Sequence, residues 1–271
     1  MARIKAVDFD ERMTLVEHLD ELRTRIMFSI GALLLAAVFC FWQNHALLGI
    51  ANNPLPSGFE PITFSPTEPF LTTITLSLYA ALVLALPVIL YQAYAYVLPA
   101  FSPKELKTIR PLILMVPILF AAGVTFAYFV VVPAAIDFLL GFNASEFQTE
   151  IRAREYYGFF SLTLMSVGVL FQIPVGVLAV TRLGIITPAK LAENRRYAIL
   201  IIAVLAMLLP GTDPVTMLIS MFPLVLLFEF SLILARIFGH GMPSEEELAA
   251  AADEDEDEDE DESAKLEKTD S

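Results

Sequence analysis

The sequence predicts an all-α integral membrane protein with six transmembrane helices, the last two short, and with both the N- and C-termini cytoplasmic. Three observations predict it. Apolar residues make up 56% of the 271 and charged residues only 18%, with a mean hydropathy of +0.66; a soluble domain is nearer half apolar and a quarter charged. The apolar excess lies in long runs, which points to bilayer spans rather than to one large core. Basic residues are also segregated. With the N-terminus inside, thirteen Lys and Arg of the first 243 residues fall in inside segments and only Arg152 and Arg154 fall outside, the asymmetry that sets membrane orientation.

Residues 1–25 read as a cytoplasmic segment. Thr14-Leu15-Val16-Glu17 fits a capping box, and Leu15, Leu19, Leu22 and Ile26 recur at helical spacing, so an amphipathic helix is expected there. A six-helix membrane domain follows over 26–238. Its first span is Ile26 to Trp42, and the loop after it carries Pro54, Pro56, Pro61, Pro66 and Pro69, too many prolines for a long regular helix. The second span is Phe70 to Leu98, with Pro87 inside it. A loop over Ala100–Arg110 leads to the third, Pro111 to Val132, and a mixed-charge loop to the fourth, Tyr156 to Val180. The fifth, Tyr197 to Leu209, spans about 20 Å at ~1.5 Å per residue, against a hydrocarbon core of about 30 Å. A tight turn over Pro210–Pro214 leads to the sixth, Val215 to Ala235, interrupted by Pro223. So short a hairpin thins the bilayer, is shielded by neighbours or recruits partners; alternatively its helix extends into Asn194–Arg196.

The net charge of −14 belongs almost wholly to a tail. From Ser244 onward there are fifteen acids and two bases, and the block Asp253–Glu262 repels itself. Residues 239–271 therefore read as an acidic disordered tail. The single cysteine, Cys40, lies in an apolar run and excludes an intrachain disulfide. The first apolar run has no cleavage site after it and reads as a retained span.

Catalysis is not expected. The chain has no G-x-x-x-x-G-K-[ST], no H-E-x-x-H, no G-x-S-x-G and no C-x-x-C. His18, His45 and His240 fall in separate predicted compartments, so no metal site is expected, and no cofactor.

Four carboxylate or amide positions stand out. Glu21 lies on the polar side of the N-terminal helix; it pairs locally with Arg25 at i+4, as Asp20 does with Arg23 at i+3, or it faces a ligand. Glu105 is a second exposed carboxylate on the same side of the membrane. Together Glu21 and Glu105 suit a cationic ligand, and arginine best, because its planar fork bonds carboxylate bidentately. Gln172 and Glu229 lie inside predicted spans, where a carboxylate costs at least ~2.5 kcal/mol to insert and so needs a partner. For Glu229 the candidates are Gln172 and Arg236, with a structural hydrogen bond, proton coupling or partner docking as its role. On these residues a receptor and a small-solute transporter using Glu229 and Gln172 are equally supported; an intramembrane enzyme lacks its residues.

Several separated motifs carry a resemblance. His18-Leu19-Asp20-Glu21-Leu22-Arg23, Ser65-Pro66-Thr67-Glu68-Pro69-Phe70, Pro87-Val88-Ile89-Leu90-Tyr91-Gln92 and Phe126-Ala127-Tyr128-Phe129 stand in the order found in the TatC family. That family is the multispanning receptor of the twin-arginine protein translocase, and the resemblance covers about residues 13–240. It implies a receptor in the plasma membrane of a prokaryote that binds twin-arginine signal peptides of folded cargo. It implies TatA/TatB-type single-span partners, assembly as a homo-oligomer and use of the proton-motive force; nucleic acid is not an expected partner. By motif, Glu21 and Glu105 contact the arginine pair, with Arg23 and Tyr96 supporting the site. Glu68 and Asp213 match acidic positions near the outer surface. Gln172 matches a mid-membrane position that is often glutamate in the family; glutamine does not ionise, and a partner-facing hydrogen bond survives the change.

Overall fold

A computed structural model of the chain describes residues 15–97, 103–146, 149–182, 186–209 and 214–237. The chain divides into two compact units, Met1–Val169 with Leu209–Thr216, and Leu170–Leu208 with Met217–Ser271. Among the described residues there is no strand beyond an isolated parallel bridge between Ile62 and Arg152.

In the first unit, α1 (Leu15–Trp42) packs along α3 (Glu68–Val97), with α2 (Asn44–Asn52) between them in sequence. The amphipathic residues and the first span form one unbroken helix; Thr14 of the capping box lies outside the described residues. α4 (Pro103–Phe126) packs on α3 and begins with a proline, a residue whose missing N–H costs nothing at a helix start. Most of the expected loop over 100–110 is thus helical. A π-helical turn, Ala127–Val131, continues into α5 (Val132–Gly141), so the third span runs past its expected end at Val132. Pro133 explains the widened turn. It has no N–H for the preceding turn and its ring crowds the carbonyl four residues back; a π turn, closed here by Val132 N–H on the Ala127 carbonyl, makes room. α6 (Ala153–Leu170) follows and, up to Val169, belongs to this unit, as does the first turn of the last helix. Gly168 lets α6 approach α4 closely: a Cβ there would sit 2.7 Å from the Phe120 ring.

The second unit holds α7 (Ile173–Arg182), α8 (Pro188–Glu193), α9 (Arg195–Met207) and most of α10 (Pro214–Ile237). The break before α7 falls at Phe171-Gln172, because Pro174 cannot donate to the end of α6. α8 is capped by the Thr187 hydroxyl, which accepts from Lys190 N–H at 3.2 Å.

Five stretches among the described residues are long and apolar enough to cross a membrane: His18–Trp42, Glu68–Tyr96, Met115–Gly141, Ala153–Thr181 and Pro214–Ala235. The expected fifth span is α9, whose 13 residues fall short of that length. Large apolar side chains such as Leu35, Val38, Trp42 and Phe129 are exposed, as lipid-facing positions are.

Between α1 and α3, the prolines create unfilled carbonyls at the end of α2, and tyrosines fill them. Pro54 has no N–H for the Ile50 carbonyl, and Leu55 N–H turns to Asn52 instead of Ala51. Tyr128 donates to the Ile50 carbonyl at 3.0 Å, Tyr156 to the Ala51 carbonyl, and Tyr157 to Asn52 Oδ1 at 2.8 Å. Tyr156, Tyr157 and Ala51 belong to one buried cluster with Leu76, Val132, Ile136 and Phe160. Tyr156→Phe leaves the buried Ala51 carbonyl without a donor and is expected to lower unfolding free energy by about 1–3 kcal/mol. Thermal unfolding in detergent, beside an exposed control such as Tyr197→Phe, measures this.

Candidate functional site

The antiparallel packing of α1 and α3 brings the start of α1 and the end of α3 to one end of the first unit. Here Glu21 accepts from Arg25 Nε at 3.0 Å and from Arg25 Nη2, the local pair that i+4 spacing allows. Arg25 Nη1 reaches across to Gln92 Oε1 at 3.3 Å. One helix turn before Glu21, His18 stacks on Tyr96 with ring centroids 4.3 Å apart and planes 18° from parallel. Arg23 and Asp20 are exposed, and no ion pair joins them among the described residues. With Thr24, Met27, Phe28, Gly31 and Gln92 they line a groove of about 820 Å³ between α1 and α3. Its lining is polar at Asp20, Arg23, Thr24 and Gln92 and apolar at Met27, Phe28 and Val88.

Glu105 lies in the first turn of α4, which a connector over 98–102 joins to α3, so its backbone is at this same end. Its side chain lies outside the described residues. The structure therefore puts Glu21, Arg23 and Tyr96 at one end of the α1–α3 pair, and α4, whose first turn holds Glu105, packs on the same α3.

The opposite end of α3 begins with Glu68, which is buried at 5% exposure. Its Oε2 accepts the Phe64 N–H at 2.9 Å, and its Oε1 accepts Arg152 Nε at 2.8 Å. A carboxylate at a helix start also meets the positive end of the helix dipole. Arg152 lies over the Phe64 ring, 5.5 Å from its centroid, and also pairs with Glu155 at 3.5 Å. The Glu68 hydrogen bond raises the Arg152 pKa further above its ordinary value. Ile62 adds backbone bonds to Ile151 and Ala153 at 2.8 and 2.9 Å. Glu68 thus fastens the proline-rich loop to the segment entering α6. Asp213, its expected counterpart, lies outside the described residues.

In the second unit Gln172 is buried at the break before α7, and its carbonyl accepts Gly176 N–H at 3.0 Å. Glu229 of α10 pairs with Arg195, the first residue of α9, at 3.2 Å. This is a partner outside the two expected, Gln172 and Arg236; the Arg236 side chain lies outside the described residues. Hairpin register could have found it, since Arg195 and Glu229 each lie about 20 Å from the connecting turn at ~1.5 Å per residue. Arg152 as the partner of Glu68 left no such signal, because the two are 84 residues apart.

The family described as Sec-independent protein translocase protein (TatC) matches residues 17–223. The chain belongs to the TatC family. A TatC protein of Magnetococcus marinus is 32% identical over 234 residues, covering 85% of this chain and 86% of its own length. One from Desulforapulum autotrophicum is 34% identical over 245 residues, covering 89% and 91%. A crystal structure described as the twin arginine translocase receptor TatC superposes with a TM-score of 0.71 at 35% identity, over 80% of this chain and 99% of that one. The chain is accordingly a multi-pass membrane component of a Sec-independent protein translocase, and not an enzyme.

Breaking the Glu68–Arg152 pair from either side leaves a charge without its partner. Glu68→Gln and Arg152→Gln are each expected to lower the melting temperature more than Glu155→Gln does. The double variant is expected to be less destabilised than the two single losses together, the mark of a coupled pair.

Proposed function

We propose that the chain is the receptor subunit of the twin-arginine translocase, binding signal peptides of folded cargo at the end where α1 starts. The observation that carries this is the Glu21 carboxylate, whose Oε1 takes two nitrogens of one guanidinium at the end of the first unit that also holds Arg23, Tyr96 and the start of α4. A carboxylate that holds one guanidinium fork has the geometry to hold another. Glu21 and Glu105 receive the arginine pair, and Arg23 and Tyr96 support them. Gln172 and Glu229 form the intramembrane contact for TatA/TatB-type single-span partners. Several copies assemble in the working complex, and the proton-motive force drives transport.

In the proposed topology α9 is the fifth of six spans and both termini lie in the cytoplasm, in the plasma membrane of a prokaryote. Lys104, Lys107 and Arg110 then lie on the same side as Glu21, while Glu68 and Asp213 face outward. Residues 1–25 form the cytoplasmic segment, 26–238 the membrane domain and 239–271 a solvated acidic tail.

A labelled twin-arginine peptide is expected to bind the detergent-purified protein, and a twin-lysine peptide to bind at least about tenfold more weakly, the loss of roughly one charge-assisted bond. Glu21→Ala and Glu105→Ala should each remain folded and lose binding; equal binding by both variants and by the lysine peptide removes the assigned site. Gln172→Leu is expected to reduce co-purification of single-span partners, and unchanged recovery takes Gln172 out of that contact.

A further inference from the structure

The Glu21 carboxylate is closed on both sides. Its Oε1 accepts from Arg25 Nε and Nη2. Its Oε2 is buried and has no hydrogen-bond partner among the described residues. The guanidinium that closes it is itself held twice, by Glu21 on its own helix and by Gln92 on α3. Glu21 and Arg25 are only 21% and 23% exposed, so water does not substitute freely for either. With Oε2 buried and Oε1 taken by two nitrogens of one guanidinium, an incoming guanidinium reaches Glu21 only when Arg25 leaves it.

We infer that Arg25 is an internal stand-in for the arginine of the ligand: it occupies Glu21 while the receptor is empty and swings aside when a signal peptide binds. This rests on the reading of Glu21 as a signal-peptide carboxylate. The incoming arginine then replaces a bond of its own kind, so Oε1 is never left without a donor. The exchange lowers the apparent affinity of every cationic ligand by the fraction of time the site stands open. Arginine and lysine ligands are weakened alike, so Arg25 sets the strength of binding and leaves the preference between them to Glu21. Gln92 is the positioning residue that keeps Arg25 in place.

The consequence is counter-intuitive, because damage to the stand-in strengthens binding. Arg25→Lys keeps the charge and loses the planar fork and its reach to Gln92. In the full-length detergent-purified protein it is expected to lower the Kd for a labelled twin-arginine peptide by about tenfold, on the order of one charge-assisted hydrogen bond. Gln92→Leu, which frees only one anchor, is expected to lower it by about threefold. The ratio between twin-lysine and twin-arginine affinities should stay unchanged in both. An unchanged or raised Kd in Arg25→Lys, while Glu21→Ala still abolishes binding, overturns the stand-in and leaves the receptor reading intact. A gain in Arg25→Gln without one in Arg25→Lys also overturns it, since only the local charge would then matter. Binding that survives Glu21→Ala overturns both.

Discussion

A backbone N–H or carbonyl that loses its helical partner where protein or lipid buries it finds no water to replace it, and this one constraint organises the molecule. Proline is where it acts. Pro133 forces the π turn that carries the third span to Gly141. Pro174 ends α6 early and puts Gln172 at a break, with its carbonyl taken up by Gly176. Pro54 empties the end of α2, and Tyr128 and Tyr156 are drawn in to serve the carbonyls there. Pro103 sits at the start of α4, where it withholds nothing that the helix needs.

Charged groups obey a related rule. Glu68, Glu21 and Glu229 each meet an arginine, and in each case the pair ties two separate segments or turns of helix. The three pairs differ in what they can do. Glu68 is buried and bonded from two directions, which suits a fastening. Glu229 and Arg195 join the two helices of a short hairpin at one level. Glu21 and Arg25 are neighbours on one helix, a cheap pairing to open, with the reach to Gln92 as the added restraint.

Much of this was legible in the sequence. The apolar runs placed each of the five long stretches in the right part of the chain, because hydrophobic length is a property of the chain itself, although the first begins well before Ile26. The Glu21–Arg25 pair was legible for the same reason, being fixed by helical spacing. The ends of the third span were misread because hydropathy falls before the helix does: the charged turn from Pro103 to Arg110 and the stretch around Asp137 are helical despite their polarity. The partners of Glu68 and Glu229 were not legible, since each depends on how distant segments are folded against one another. The stacking of His18 on Tyr96 likewise needs the α1–α3 register, which no local pattern encodes.

The hydroxyls that seal α2 also lock two spans to each other through a third piece of chain. Tyr128 stands on the π turn of the third span and Tyr156 and Tyr157 near the start of α6, yet all three end on the consecutive residues Ile50, Ala51 and Asn52. Neither helix can slide along its axis past α2 without breaking a hydrogen bond there, so the short helix works as a dowel that fixes the register of its two long neighbours.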